Sequence, residues 1–237
     1  MKNISASRRH FIRTATAFTG ALSGLSLLPG AVQAAASNNT AANAAAIPVP
    51  PASAKDKDDN IIGPREGYSP QIGTLVSMMA WLRPQVTNSI KNLSVEQLDF
   101  LLDDKANTIG ALAYHLAATD YLYHQHTFKN VTLQDIDKAL GDKFGPAMNL
   151  GDEARKKIKG NNAQFYLDVL RETRENTLAE FKKRDDQWFM TVDEKFPWGP
   201  TNNYCKWFHV CEHESHHLGQ INMLKSRVPG AKSTNNG

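Results

Sequence analysis

Phe208 to Ile221 reads F-H-V-C-E-H-E-S-H-H-L-G-Q-I, and four of the chain's eight histidines fall inside it: His209, His213, His216 and His217. On a helix, residues four apart stack on one face about one turn from each other. His213 and His217 have that spacing, and so do His209 and His213. Neutral imidazole is the commonest protein ligand for a transition metal, so an i, i+4 pair can grip one ion. A polar, solvated helix face that happens to be rich in histidine is the plain alternative. Turning the helix by about 100° per residue separates the candidates. Trp207, Val210, Cys211, Leu218, Ile221 and Leu224 define an inward arc. His213 and His217 lie on or at the margin of that arc, and His216 and His209 turn further out. The angular argument therefore prefers His213 with His217. Glu214 falls inside the arc, where a carboxylate needs a partner. It suits either a general base toward metal-bound water or a structural hydrogen bond across the core. Glu212 faces outward. Gln220 is placed to bond a ligand's second nitrogen or to rim the site. Gly219 suggests close approach of another backbone.

A helix face supplies two ligands and needs a third from elsewhere. The stretch Thr108 to Phe128 carries the apolar stripe Ala111, Leu112, Leu116, Thr119 and Leu122, with Asn107 as its expected cap. His115 sits on that stripe, in mid-helix, and is the best donor. His124 and His126 lie near the helix end and read as ordinary. Three histidines leave room for water or substrate, as catalytic sites do, whereas structural zinc sites are closed by four protein ligands.

Around these two helices the chain shows two more long amphipathic segments. Ile72, Leu75, Met78, Met79, Leu82 and Val86 predict a helix over 70–92, with Pro84 bending or interrupting it. Ser94-Val95-Glu96-Gln97 is a capping box opening a short helix. Leu167, Leu170, Thr177, Leu178 and Phe181 form the buried side of a helix from Asn161 or Asn162 to Lys183, its charged residues making a solvated face. The fourth long helix begins near Asn202 or Asn203 and ends before Pro229-Gly230. Residues 129–160 read as a polar connection with one short helix over 133–140. Residues 185–200 read as a loop whose Trp188, Phe189, Phe196 and Trp198 plug an end of the core or wall a pocket. No strand series appears. The expected fold class is all-α, a four-helix bundle with one long crossover.

The first third of the chain has a different character. Ser7-Arg8-Arg9-His10-Phe11-Ile12-Arg13 is a twin-arginine export signature. The apolar run 14–28 is too short to span a bilayer well, and Val32-Gln33-Ala34 offers a cleavage site. Residues 35–67, rich in Ala, Asn, Pro and Ser, read as a flexible linker. The expected organisation is therefore a signal peptide over 1–34, a linker over 35–67 and a helical domain over 68–230, delivered to the periplasm with no stable membrane anchor after cleavage. The formal charge is +3, but four of the 27 basic residues lie in 1–34, which has no acid. The remainder carries 23 basic against 24 acidic residues, a net charge of −1. This excludes a broad nucleic-acid footprint. Cys205 and Cys211 are about 9 Å apart along one helix and on different faces, beyond disulfide reach. They read as buried thiols.

Asn107-Thr108-Ile109-Gly110-Ala111-Leu112-Ala113-Tyr114-His115-Leu116, followed by His213-Glu214-Ser215-His216-His217-Leu218-Gly219-Gln220-Ile221, resembles the DinB/YfiT-like metalloenzyme superfamily. Leu93 to Leu98 resembles that family's link before its second helix, and the likeness runs from about Tyr68 to Arg227. The resemblance implies an up-down-down-up bundle, often a homodimer, and a divalent metal, usually Zn2+ or Ni2+, on His115, His213 and His217. It implies metal-dependent transfer or isomerisation using a thiol for some members. An export signal argues against a cytoplasmic low-molecular-weight thiol as the partner here. Three functional expectations follow: a hydrolase or group transferase acting on a small molecule, a metal-binding module without catalysis, and a zinc peptidase from H-E-x-x-H. The peptidase is the weakest, since Gly219 follows His217 by two residues rather than three and no strands frame a cleft.

Overall fold

The computed structural model describes residues 60–231. The export signature, its cleavage site and the linker up to residue 59 lie outside the described residues. The chain forms α1 (Pro70–Ile90), α2 (Val95–Leu98), α3 (Ile109–Phe128), α4 (Ile136–Asn149), α5 (Gly151–Lys157), α6 (Ala163–Phe181), α7 (Asp186–Phe189), β1 (Val192–Asp193), β2 (Thr201–Asn202) and α8 (Asn203–Lys225). Helix dominates, as expected. The two short strands pair antiparallel, Val192 with Asn202 and Asp193 with Thr201.

Local chemistry starts most of these helices. Ser94 and Gln97 close the capping box of α2. Thr108 Oγ1 accepts from Ala111 N at 3.0 Å and caps α3, so the cap is one residue later than expected. Asn107 instead accepts from Gly151 N at 3.0 Å and ties α5 to the start of α3. Asn162 and Asn202 cap α6 and α8. The N-terminus of α1 starts at Pro70, where a proline's missing N–H costs nothing. It is completed from a distance by Asp186, which accepts from Ser69 Oγ at 2.6 Å and Gln71 N at 3.1 Å. A carboxylate there also meets the positive end of the helix dipole. Pro84 lies inside a continuous α1 rather than dividing it.

The four long helices, α1, α3, α6 and α8, carry the core. The closest packing joins α3 to α4, α6 and α8, and α1 to α8; α1 and α6 touch less. α3 is central, with every residue from Ile109 to Asp120 buried. Gly110 faces Tyr166 of α6, and a Cβ there would lie 2.5 Å from the tyrosine hydroxyl. The close backbone approach expected at Gly219, where added carbon meets nothing within 4 Å, occurs instead at Gly73, whose added Cβ would lie 2.5 Å from the backbone nitrogen of Arg65.

Two further regions differ from the expectation. The connection 129–160 is largely helical, with α4 kinked at Gly141 and followed directly by α5. Ile136, Leu140, Phe144 and Met148 give α4 a buried stripe, which its polar composition hid. Residues 60–67, read as linker, lie against α1. Trp81 Nε1 donates to Asn60 Oδ1 at 3.2 Å, and Gly63 N donates to Ser77 Oγ at 3.1 Å. Of the thiols, Cys211 is buried and Cys205 is exposed. Burial pushes the Cys211 thiol up to about 12. No described helix is long and apolar enough to cross a membrane.

Candidate metal centre

α3 brings His115 and α8 brings His213 and His217 to one point. Nε2 of His115 lies 2.7 Å from Nε2 of His213, which lies 3.2 Å from Nε2 of His217. His115 and His217 are buried, and His213 is partly exposed. Neighbours set the outward nitrogens. His115 Nδ1 meets the carbonyl of Ala147 at 2.9 Å, and His217 Nδ1 meets Gln220 Oε1 at 2.7 Å. Each of those oxygens only accepts, so each Nδ1 carries the proton and each Nε2 presents a lone pair. His213 Nε2 therefore faces two lone pairs and can donate to one of them at most.

Such a convergence is unfavourable for bare nitrogens and suits a cation. Zinc bonds of about 2.0–2.1 Å at tetrahedral angles hold ligand nitrogens roughly 3.3 Å apart. The 3.2 Å separation matches, and the 2.7 Å one requires a ring shift of about half an ångström. Burial, together with the neighbouring histidines, disfavours protonation of all three. His115 is lowered to about 3, chiefly by burial, and His217 to about 4 by the same cause. His213 lies lower still, through burial and then His115 and His217. The imidazoles are thus neutral, the form that binds metal. These residues fit a metal ion.

The other histidines divide around this point. His209 is partly exposed; its Nδ1 meets the Tyr123 hydroxyl at 3.0 Å and its ring centroid lies 5.2 Å from that of His213. His216 is exposed, with Gln220 Nε2 at 3.4 Å. His126 bonds the Val131 carbonyl at 2.9 Å and Lys206 at 3.1 Å. His217 is buried, His213 and His209 are both partly exposed and His216 is exposed, so the centre reaches solvent on the side of His213 and His209.

Glu214 belongs to a different network. It is 1% exposed, and its Oε1 accepts from the guanidinium groups of Arg83 and Arg174, the latter at 3.2 Å. Asp120, fully buried, accepts from Arg174 Nε at 2.8 Å, Arg83 at 3.3 Å and Thr177 Oγ1 at 2.6 Å. Each long helix contributes one charge: Arg83 from α1, Asp120 from α3, Arg174 from α6 and Glu214 from α8. Burial alone would push the Asp120 carboxyl up. Arg174, Arg83 and the Thr177 hydroxyl more than offset this and hold it below the usual range. Glu214 Oε1 thus makes hydrogen bonds across the core, while its buried Oε2 has no hydrogen-bond partner among the described residues. Arg174 is itself a correction, since the charges of α6 were read as solvated. Its place four residues after Leu170 and three before Thr177 was the available signal. A cleft of about 370 Å³ between α1 and α6 reaches Arg83 and Arg174. The histidines do not line it.

Two contributors were invisible in the sequence: the Ala147 carbonyl, supplied by the crossover helix α4, and Tyr123. The aromatics of 185–200 split in function. Trp188 stacks on Phe128 at 5.1 Å and Phe189 is fully buried, whereas Trp198 stays exposed beside His209.

A family model described as the DinB family matches residues 67–227. That span holds all three converging histidines and the four buried charges. No curated protein matches the chain closely enough to count as a relative.

Proposed function

The chain belongs to the DinB family, and from that premise we propose that it is an exported metal-dependent hydrolase or group transferase. On this reading a four-helix bundle in up-down-down-up order holds one divalent ion, Zn2+ or Ni2+, on Nε2 of His115, His213 and His217. The observation that carries the reading is the meeting of three neutral imidazoles, two of which, His115 and His217, have their protons directed away from the common point. A divalent ion held there supplies Lewis acidity and lowers the pKa of a coordinated water or thiol toward neutrality.

The chain's own residues do the rest. The Ala147 carbonyl and Gln220 hold two rings in the tautomer a metal needs, as outer partners of metal histidines do. Three neutral ligands leave the site's positive charge uncompensated, which favours an anionic group in the remaining position. The two nearby carboxylates are withheld, because Arg83 and Arg174 already neutralise Asp120 and Glu214. Glu214 accordingly serves as a structural anchor between His213 and His217 rather than as the base. Four protein ligands would close a structural zinc site; three histidines with a partly exposed member favour an open one.

Elemental analysis of purified protein tests the reading. The wild type should carry about one ion per chain, and His115→Ala, His213→Ala and His217→Ala should lose it while staying folded. Full metal content in any of the three would remove the site as drawn. A cobalt-substituted protein whose spectrum does not respond to added ligands would favour a binding module without catalysis. Chelator-sensitive cleavage of casein would revive the peptidase.

A further inference from the structure

The metal centre has a second, aromatic half. Trp198 lies on the loop between β1 and β2, edge-on to His209 with ring centroids 4.9 Å apart, and His209 in turn lies 5.2 Å from His213. His209 is fixed by the Tyr123 hydroxyl at 3.0 Å, and Tyr123 is buried. Trp198 is fixed by Phe196, whose ring it meets edge-on at 5.0 Å. Phe196 is buried and is held by Lys206, whose ammonium sits 4.8 Å from the ring centroid. Lys206 also donates to Asp193 Oδ2 at 3.0 Å and to His126 Nε2 at 3.1 Å. That buried cluster fastens the loop to α3 and α8. Gly199, at φ +95°, returns the chain toward β2.

Despite these anchors Trp198 remains 42% exposed. A residue serving only to plug the core end would be covered, as Phe189 is. We propose that Trp198 and His209 form a recognition shelf for a flat aromatic or conjugated portion of the ligand whose donor atom occupies the metal's open position. The inference rests on the metal reading above and specifies its ligand class. The exposed side of the centre runs toward His209, so a ligand reaching past His213 meets this shelf. Its two aromatic members are already ordered, which spares the cost of immobilising them on binding.

Cobalt-substituted protein, followed by its visible absorption, tests this with two monodentate probes, imidazole and 4-phenylimidazole. Wild type should bind the phenyl compound about three- to tenfold more tightly than imidazole, the scale of one good aromatic contact. Trp198→Ala should remove about that preference while keeping metal content and imidazole affinity; Trp198→Phe should keep most of it. Equal affinities in wild type, or a preference that survives Trp198→Ala, overturns the shelf and leaves the metal site standing. Absence of bound metal, or no spectral response to either probe, overturns the shelf and the open metal site together.

Discussion

At the scale of single residues, the histidines matter through what holds their far nitrogens. Gln220 orients His217 by one hydrogen bond of 2.7 Å. Gln220→Leu should weaken metal binding roughly 10- to 100-fold, the usual effect of losing an outer partner. Competition with a chromophoric chelator would measure it, and unchanged affinity would show that packing alone orients the ring. Glu214 offers the sharper contrast. Glu214→Gln leaves two buried guanidinium groups facing one carboxylate. Breaking a buried ion pair from one side costs about 3–5 kcal/mol, so the variant should unfold at markedly lower urea while still binding one ion per folded chain. A general base would behave otherwise, with turnover abolished and stability hardly changed.

Among the elements, α3 and α8 form the centre, and α4 decides how His115 points. The seam between α3 and α6 is closed by Gly110 against the Tyr166 ring. Gly110→Ala should destabilise the protein by about 1–3 kcal/mol, as overpacking does. Gly219 is exposed, inside α8, with open space around it. Gly219→Ala should therefore stabilise by about 0.5–1 kcal/mol through helix propensity. Thermal unfolding of the two variants side by side checks both. A costly change at Gly219 would mean that something packs against that face of α8.

The behaviour of the whole molecule depends on those neutral imidazoles. His115 and His217 are lowered to about 3 and about 4 in the folded chain, against about 6.5 for an unperturbed histidine. The unfolded chain thus takes up protons that the folded chain refuses. Their contribution is fully present above about pH 6.5 and is lost as pH falls toward the folded values. Metal-free protein should show a urea midpoint that drops between pH 7 and pH 5. Metal should raise the midpoint at pH 7 and do less at pH 5, where protons compete for the same nitrogens. A flat profile for the metal-free protein would contradict the burial of these rings.

Sequence alone determined the helical class, because apolar residues recurring at 3.6 spacing admit little else. It also selected His115, His213 and His217, since their angular positions follow from spacing along a helix. Most helix starts were readable because a cap bonds within three residues of itself. Tertiary structure decided whatever depends on residues far apart in the chain. Asp186 caps α1, a carbonyl of α4 sets a ring on α3, and four charges from four helices neutralise one another in the core. The polar crossover hid a buried stripe, and Gly73 and Gly110 rather than Gly219 proved the tight contacts. The long-range pairings have no periodic signature, since each partner is chosen by where the helices meet and not by what stands next to it.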